Sequence, residues 1–308
     1  MRKLIAAMIV LAAIGGAVFW VLTIPSRLPE ADIAALAPGD VARGERMFYA
    51  GGCTSCHAAP KAEANAPVQL TGGLELKTPF GTFVVPNISQ HPTDGIGSWS
   101  LSDFANAMQR GVSPDGSHYY PAFPYASYAR MKLEDVADLF AFMKTQAQVA
   151  GRAPDHQLGF PFNIRRGLGL WKLLHLSPEP VLALANASDQ AKAGQYLVEG
   201  PGHCGECHTA RDLSGGIKTS EWLAGAVAAE GEGVVPNITP EGADAGAWSE
   251  GDIAEYLKTG FTPDFDSAGG AMAAVVKNTG RLSDDDRAAI AAYLKAVPPR
   301  PNGFPARN

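Results

Sequence analysis

Cysteine is scarce in this 308-residue chain: there are four, all inside two short motifs, so nothing is left over for a disulfide framework. A strong charge of one sign is missing too. Lys and Arg number 25 against 31 Asp and Glu, for a net charge of −6, and no basic stripe exists that could release counterions from nucleic acid. The glycine-rich pieces GGLELKTPFG and GGAMAA lack the strand–G-x-G-x-x-G–helix setting of a dinucleotide site, and nothing has P-loop spacing. Collagen, coiled coil and wholesale disorder are excluded by composition. What the chain does have is 34 Gly and 23 Pro, together 57 of 308. That exceeds the roughly 12% of ordinary usage, and predicts short helices separated by long turns. With 46% hydrophobic residues, the length suffices for one large core or two domains of about 150 residues.

There is one long apolar run. Arg2 and Lys3 precede 21 uncharged residues from Leu4 to Ile24, which at about 1.5 Å per residue can cross a hydrocarbon core of about 30 Å. A cleaved signal has a shorter apolar region followed by a small-x-small site, and Thr23-Ile24-Pro25-Ser26-Arg27 is a poor one. Residues 1–25 are therefore expected to form a membrane anchor, with a cleaved signal as the other option. Position, length and the basic cap disfavour a buried helix. With the two positive charges held inside, everything after residue 25 lies outside the cytoplasm, and residues 26–38 read as a short tether.

The cysteines occur as Cys53-Thr54-Ser55-Cys56-His57 and Cys204-Gly205-Glu206-Cys207-His208. Two thiols three positions apart on a helical turn can each form a thioether with one vinyl group of a haem, and the following His can present its imidazole to the iron. A shared zinc site would separate the pairs by about 15–20 residues, not by 147. A thioredoxin-like dithiol or two redox disulfides would leave the two histidines unexplained. Two covalently bound haem c groups are the expectation, held by Cys53, Cys56 and His57 and by Cys204, Cys207 and His208.

The chain also repeats itself. Cys53 maps onto Cys204, 151 positions on; Val84-Val85-Pro86-Asn87-Ile88 recurs at 234–238; and from Trp99 onward Trp248, Asp252, Gly260, Pro263 and Asp264 follow Trp99, Asp103, Gly111, Pro114 and Asp115 at 149. Two copies of one domain are implied. Each should open with a helix capped by Asp40 or Asp189 and close with an amphipathic one. Val136, Leu139, Phe140 and Met143 lie at helical spacing in the first, and Ile290, Tyr293, Leu294 and Val297 in the second behind a Ser283-x-x-Asp286 capping box. The organisation read from this is a first domain at 39–148, a linker at 149–186, a second domain at 187–300 and a tail at 301–308. In the linker, Phe160 to Arg166 and Trp171 to Leu174 are apolar and basic. Packing between the domains is their default role, with a membrane surface or a partner as the other options.

The C-x-x-C-H motifs, TPFGTFVVPNIS (78–89), GIGSWSLSDFANAMQRGVSPDG (95–116) and YPAFPY (120–125) together resemble the membrane-anchored multihaem cytochrome c proteins. Their relatives include the cytochrome subunits of periplasmic alcohol, gluconate and aldehyde dehydrogenases. The resemblance covers nearly all of the chain after residue 38, in a two-haem rather than three-haem form. It implies a mainly α fold of two tandem class I cytochrome c domains after one N-terminal transmembrane helix. It also implies single-pass attachment to the cytoplasmic membrane with both domains facing the periplasm. Electrons would pass from a periplasmic or membrane dehydrogenase to a quinone, a soluble cytochrome or a terminal oxidase.

A class I haem normally takes a Met thioether as its sixth ligand. Met272, beside Gly269 and Gly270 on an expected loop, is the one Met of the second half and the expected ligand there. The repeat places Phe123 at the corresponding position of the first half, where ligating relatives would carry Met. Met47, Met108 and Met143 read as packing residues, which leaves Met131 as a tentative ligand, with His118, His91 or an open, water-bound iron as the other options. An open first iron defines the alternative function, a haem enzyme or a gas or peroxide sensor with His118 as distal acid–base group. His156, His175 and His203 read as loop residues, and Glu230, Glu232 and the run 284–286 as solvated acids.

Overall fold

The computed structural model describes residues 1–59, 68–228, 233–240, 242 and 245–300; Glu230, Glu232 and the tail 301–308 lie outside the described residues. The N-terminal apolar run is one helix, α1 (Arg2–Leu22), long and apolar enough to cross a membrane and buried nowhere along its hydrophobic window. A short α2 (Glu30–Ala34) follows. The first repeat then carries α3 (Val41–Ala50), α4 (Cys53–His57), the β1 (Glu75–Thr78) and β2 (Gly81–Val84) hairpin, α5 (Leu101–Arg110), α6 (Tyr125–Tyr128) and α7 (Leu133–Met143). A linker with β3 (Gln157–Leu158) and α8 (Leu168–His175) leads to the second repeat. There α9 (Asp189–Glu199), α10 (Gly205–His208), the β4 (Ala226–Val227) and β5 (Val234–Val235) pair, α11 (Glu250–Thr259), α12 (Gly270–Thr279) and α13 (Asp284–Ala296) follow in the same order.

Both repeats are built on the same helix crossing. α3 packs across α7 and α9 across α13, burying Met47 and Phe48 against Val136, Leu139 and Met143 in the first, and Leu197 and Val198 against Ile290, Tyr293 and Leu294 in the second. The helices touch backbone to backbone at a glycine. A Cβ on Gly44 would overlap the carbonyl oxygen of Asp138, and a Cβ on Gly194 that of Ala289, so only glycine allows the approach. Met47, Met108 and Met143 are buried in the core.

Local chemistry sets the boundaries. Ser100 with Asp103, and Ser249 with Asp252, form capping boxes at the starts of α5 and α11. Gly111 (φ 57°) and Gly260 (φ 81°) end these helices in the left-handed conformation. Three expectations are corrected. Asp40 caps α3, but α9 is capped by Ser188, whose hydroxyl accepts from the Ala191 N–H, and Asp189 is the first helical residue. Ser283 caps α13 without a full box, because the Asp286 carboxylate turns away to bind Arg46. Met272 lies in the first turn of α12 and not on a loop.

The linker fills its expected role only in part. β3 pairs with β2, and α8 lies between the repeats, its Trp171 packed edge-on against Tyr125 of the first and donating to the Ser214 carbonyl of the second at 3.1 Å, while Phe160, Phe162, Ile164, Leu170, Leu173 and Leu174 are exposed. The two repeats also meet directly. Arg46 of α3 binds Asp286 of α13, and the Tyr196 hydroxyl of α9 donates to Asp135 of α7.

Candidate functional site

Each C-x-x-C-H motif occupies a single helical turn, so its two cysteines lie on one face with the histidine at the turn's end. Gly52, at φ 56°, lets the chain leave α3 and re-enter a helix at once. The histidines are then held in the same way in both repeats. His57 Nδ1 lies 2.8 Å from the Pro86 carbonyl oxygen, and His208 Nδ1 lies 2.9 Å from that of Pro236. A carbonyl only accepts, so Nδ1 carries the proton and the Nε2 lone pair is left for a metal. Both prolines belong to the repeated VVPNI segment. The chain ahead of each strand pair is tied to the same histidines, by the Gly72 N–H to the His57 carbonyl (2.9 Å) and by the Gly225 N–H to that of His208 (2.8 Å).

Electrostatics keep both imidazoles in the ligating form. Burial pushes His57 down to about 4 and outweighs the Pro86 carbonyl, which acts the other way. Burial lowers His208 likewise. It raises the Cys53 and Cys204 thiols to about 12. The donor set of two thiols on one turn plus a neutral, oriented imidazole fits a covalently attached haem at each motif.

Between the motifs lies a seam that the sequence did not reveal. His203, read as a loop residue, has its Nε2 3.2 Å from the Gly51 carbonyl oxygen and its ring 5.6 Å from that of Tyr128. Thr54 donates to the Asn278 side-chain oxygen at 2.7 Å, and the Asn278 amide donates to Ser55 at 3.0 Å, so α4 is bound to the helix that carries Met272. Reciprocally, Ser127 of α6 donates to Glu206 of the second motif at 2.9 Å. α10 is seated from below by Gly205 on the Trp222 ring, whose Nε1 donates to the Tyr293 hydroxyl (2.9 Å), which in turn donates to buried Glu199 (2.5 Å).

The sixth-ligand candidates lie in different surroundings. His118 is buried with its Nε2 2.9 Å from the Thr23 carbonyl oxygen, at the end of α1, and its Nδ1 without a hydrogen-bond partner. His91 accepts from the Asp94 N–H within its own turn. Phe123 packs edge-on among Tyr119, Tyr125 and Tyr128. Tyr128 in turn neighbours Cys53 and Cys56, and burial with those thiols raises it well above an ordinary tyrosine. Met131 is buried just beyond Tyr128, its backbone oxygen held by Gln109 at 2.6 Å. Met272 is partly buried against the core. His156 accepts from the Val84 N–H (3.1 Å), and His175 meets Ser214 (2.7 Å); both are structural.

Comparison with known proteins agrees with this construction. Residues 41–147 and 191–298 each match the cytochrome c family. A protein of Cereibacter sphaeroides described as "Diheme cytochrome c-type" is 52% identical over 298 residues, covering 97% of this chain and 99% of its own. The fructose dehydrogenase cytochrome subunit of Gluconobacter japonicus is 37% identical over 262 residues, 84% of this chain and 52% of its own. The gluconate 2-dehydrogenase cytochrome c subunit of Pantoea cypripedii is 37% identical over 267 residues, 83% and 59% respectively. The chain thus spans nearly all of the first relative and somewhat over half of the other two.

Proposed function

Because the chain belongs to the cytochrome c family, as two tandem domains with two covalently bound haem c groups, we propose that it relays single electrons from a dehydrogenase to a respiratory acceptor. When bound, the haems supply reversible one-electron chemistry at iron. The chain's own residues hold, orient and shield them. Cys53, Cys56 and His57 hold the first and Cys204, Cys207 and His208 the second, with Met272 as the second sixth ligand and Met131 as the first. The Pro86 and Pro236 carbonyls keep each imidazole proton on Nδ1.

The observation that carries the relay reading is the seam. Gly51 and His203, each within two residues of a haem-attachment cysteine, are in direct hydrogen-bond contact, so an electron entering one domain leaves through the other with no domain movement. The relatives named as dehydrogenase cytochrome subunits support a dehydrogenase as donor; a quinone, a soluble cytochrome or a terminal oxidase is the acceptor. A gas- or peroxide-handling first iron is not favoured. Phe123 closes that side with rings, and His118 is tied to Thr23.

α1 is retained as the anchor in this reading, single-pass in the cytoplasmic membrane with both domains in the periplasm. Thr23 is fully buried, bonded through its carbonyl to His118 and through its hydroxyl by Arg166 at 2.8 Å, so the end of the helix is part of the folded domain. The test is the optical and EPR spectrum of the purified protein, oxidised and reduced, with and without carbon monoxide. Two low-spin haems, neither taking up the gas, are expected; half the haem high-spin and gas-binding overturns the relay reading for the first domain.

A further inference from the structure

α8 is built inside out. Its polar residue points inward: Lys172 is 9% exposed, and its ammonium donates to the Arg110 and Gly111 carbonyls at 2.6 and 2.7 Å. Three of its four leucines point outward, Leu173 at 63% and Leu174 at 75% exposed, with Leu170 on the same stripe at i, i+3, i+4. The segment before it adds Phe160, 81% exposed, with Phe162 and Ile164. A soluble helix turns such a stripe to its core; a contiguous apolar face left outside marks a surface for another phase or partner.

Its position selects the partner. The same segment grips the end of α1: Arg166 donates to the Trp20 carbonyl at 2.7 Å and to the Thr23 hydroxyl at 2.8 Å, its guanidinium stacked 4.2 Å from the Trp20 ring centre. Gly169 of α8 lies against Thr23 so closely that a Cβ would meet its backbone. Arg27, just after α1, donates to the Ser113 and Pro114 carbonyls at 3.1 and 2.9 Å. The anchor is therefore clamped to the first domain at the point where it leaves the bilayer, and the apolar stripe is held at that level. Trp20 and the flanking Arg165 and Arg166 are the residue types that settle at a headgroup boundary.

We propose that α8 and residues 160–164 form a monotopic membrane contact, with Leu170, Leu173 and Leu174 seated in the acyl boundary of the lipid surface crossed by α1. This rests on the reading of α1 as an anchor. The linker thereby becomes a second point of attachment, and α1 and α8 together fix the tilt of the two-domain head over the bilayer, which a single tethering helix would leave free.

The holoprotein is reconstituted in vesicles of phosphatidylcholine and phosphatidylglycerol in equal parts, carrying a lipid-soluble aryl diazirine, and photolabelled sites are mapped by mass spectrometry. Label in α1 and in residues 160–175, and none at exposed Phe265 on the loop after α11, is the expected pattern. Leu173→Gln with Leu174→Gln should abolish label in α8 and leave that in α1, with both haems still attached. Label in α1 alone overturns the proposal while the anchor stands. Label in neither overturns both. Label in α8 that survives the double substitution also overturns it, since the leucines then do not seat the helix.

Discussion

Arg46 and Asp286, 240 positions apart, bind each other across the two domains through hydrogen bonds of 3.1, 3.0 and 2.7 Å. The relationship has a counterpart. The closing helices correspond at a spacing of 151, since Gly44 meets Asp138 and Gly194 meets Ala289, so Asp135 stands where Asp286 does, and it accepts from Tyr196 on the helix equivalent to that of Arg46. Each closing helix thus offers a carboxylate to the opening helix of the other domain.

Removing the Arg46 side chain should loosen this seam. The guanidinium is 42% exposed and the carboxylate 10%, so Arg46→Ala is expected to cost on the order of 1–2 kcal/mol, between an exposed and a fully buried pair. Burial opposes the charge on Asp286, and Arg46 overrides it, holding the carboxyl below its usual range. A depressed carboxyl stabilises the fold above its unfolded value of about 3.9 and loses that contribution as pH falls further. Calorimetric midpoints of wild type and R46A should therefore differ at neutral pH and converge in acid below that value.

Gly44→Ala and Gly194→Ala each force a methyl into a carbonyl oxygen at a helix crossing. A loss on the order of 3 kcal/mol is expected for each from overpacking. Since Gly44 lies in α3 and Gly194 in α9, holoprotein yield and visible circular dichroism should report one disturbed haem, a different one in each variant.

Replacing the sulfur ligands should change one haem at a time. Met272→Ala is expected to weaken the thioether-to-iron absorption and leave one weaker-field haem, a consequence of losing Met ligation. Met131→Ala should do the same to the other haem, and the double variant should lose that absorption entirely. An unaltered EPR spectrum in either single variant rejects that residue as ligand.

Lys172 supplies a test in the alkaline direction. Burial pushes its ammonium down to about 7, against about 10.4 unfolded. Below pH 7 both states are charged. As pH rises between those values the folded chain sheds the proton while the unfolded one keeps it, so stability rises. The midpoint should climb between roughly pH 7 and 9, and Lys172→Met should flatten that climb.

Much of this was legible in the sequence because it is local or repeated. The C-x-x-C-H turns, the Asp40 cap of α3 and the closing helices are short-range patterns, and the recurrence of VVPNI marked a segment whose proline carbonyls prove to hold both histidines. What escaped depends on distant chain. His203 looks like any loop histidine until Gly51 is brought to it, and Ser188 displaces Asp189 as cap because its hydroxyl reaches the Ala191 N–H. In the linker Trp171 reaches between the repeats as expected, but the leucine stripe of α8 is exposed because Lys172 took the inward position.

The paired carboxylates at the seam have the form of a two-fold dimer interface joined into one polypeptide. In a homodimer every substitution lands twice, and two identical redox centres cannot be tuned apart. Fusion lifts that symmetry constraint. Phe123 at the repeat position of Met272, and Arg46 at that of Tyr196, are places where the two halves differ, and through such differences a duplicated scaffold holds two inequivalent sites.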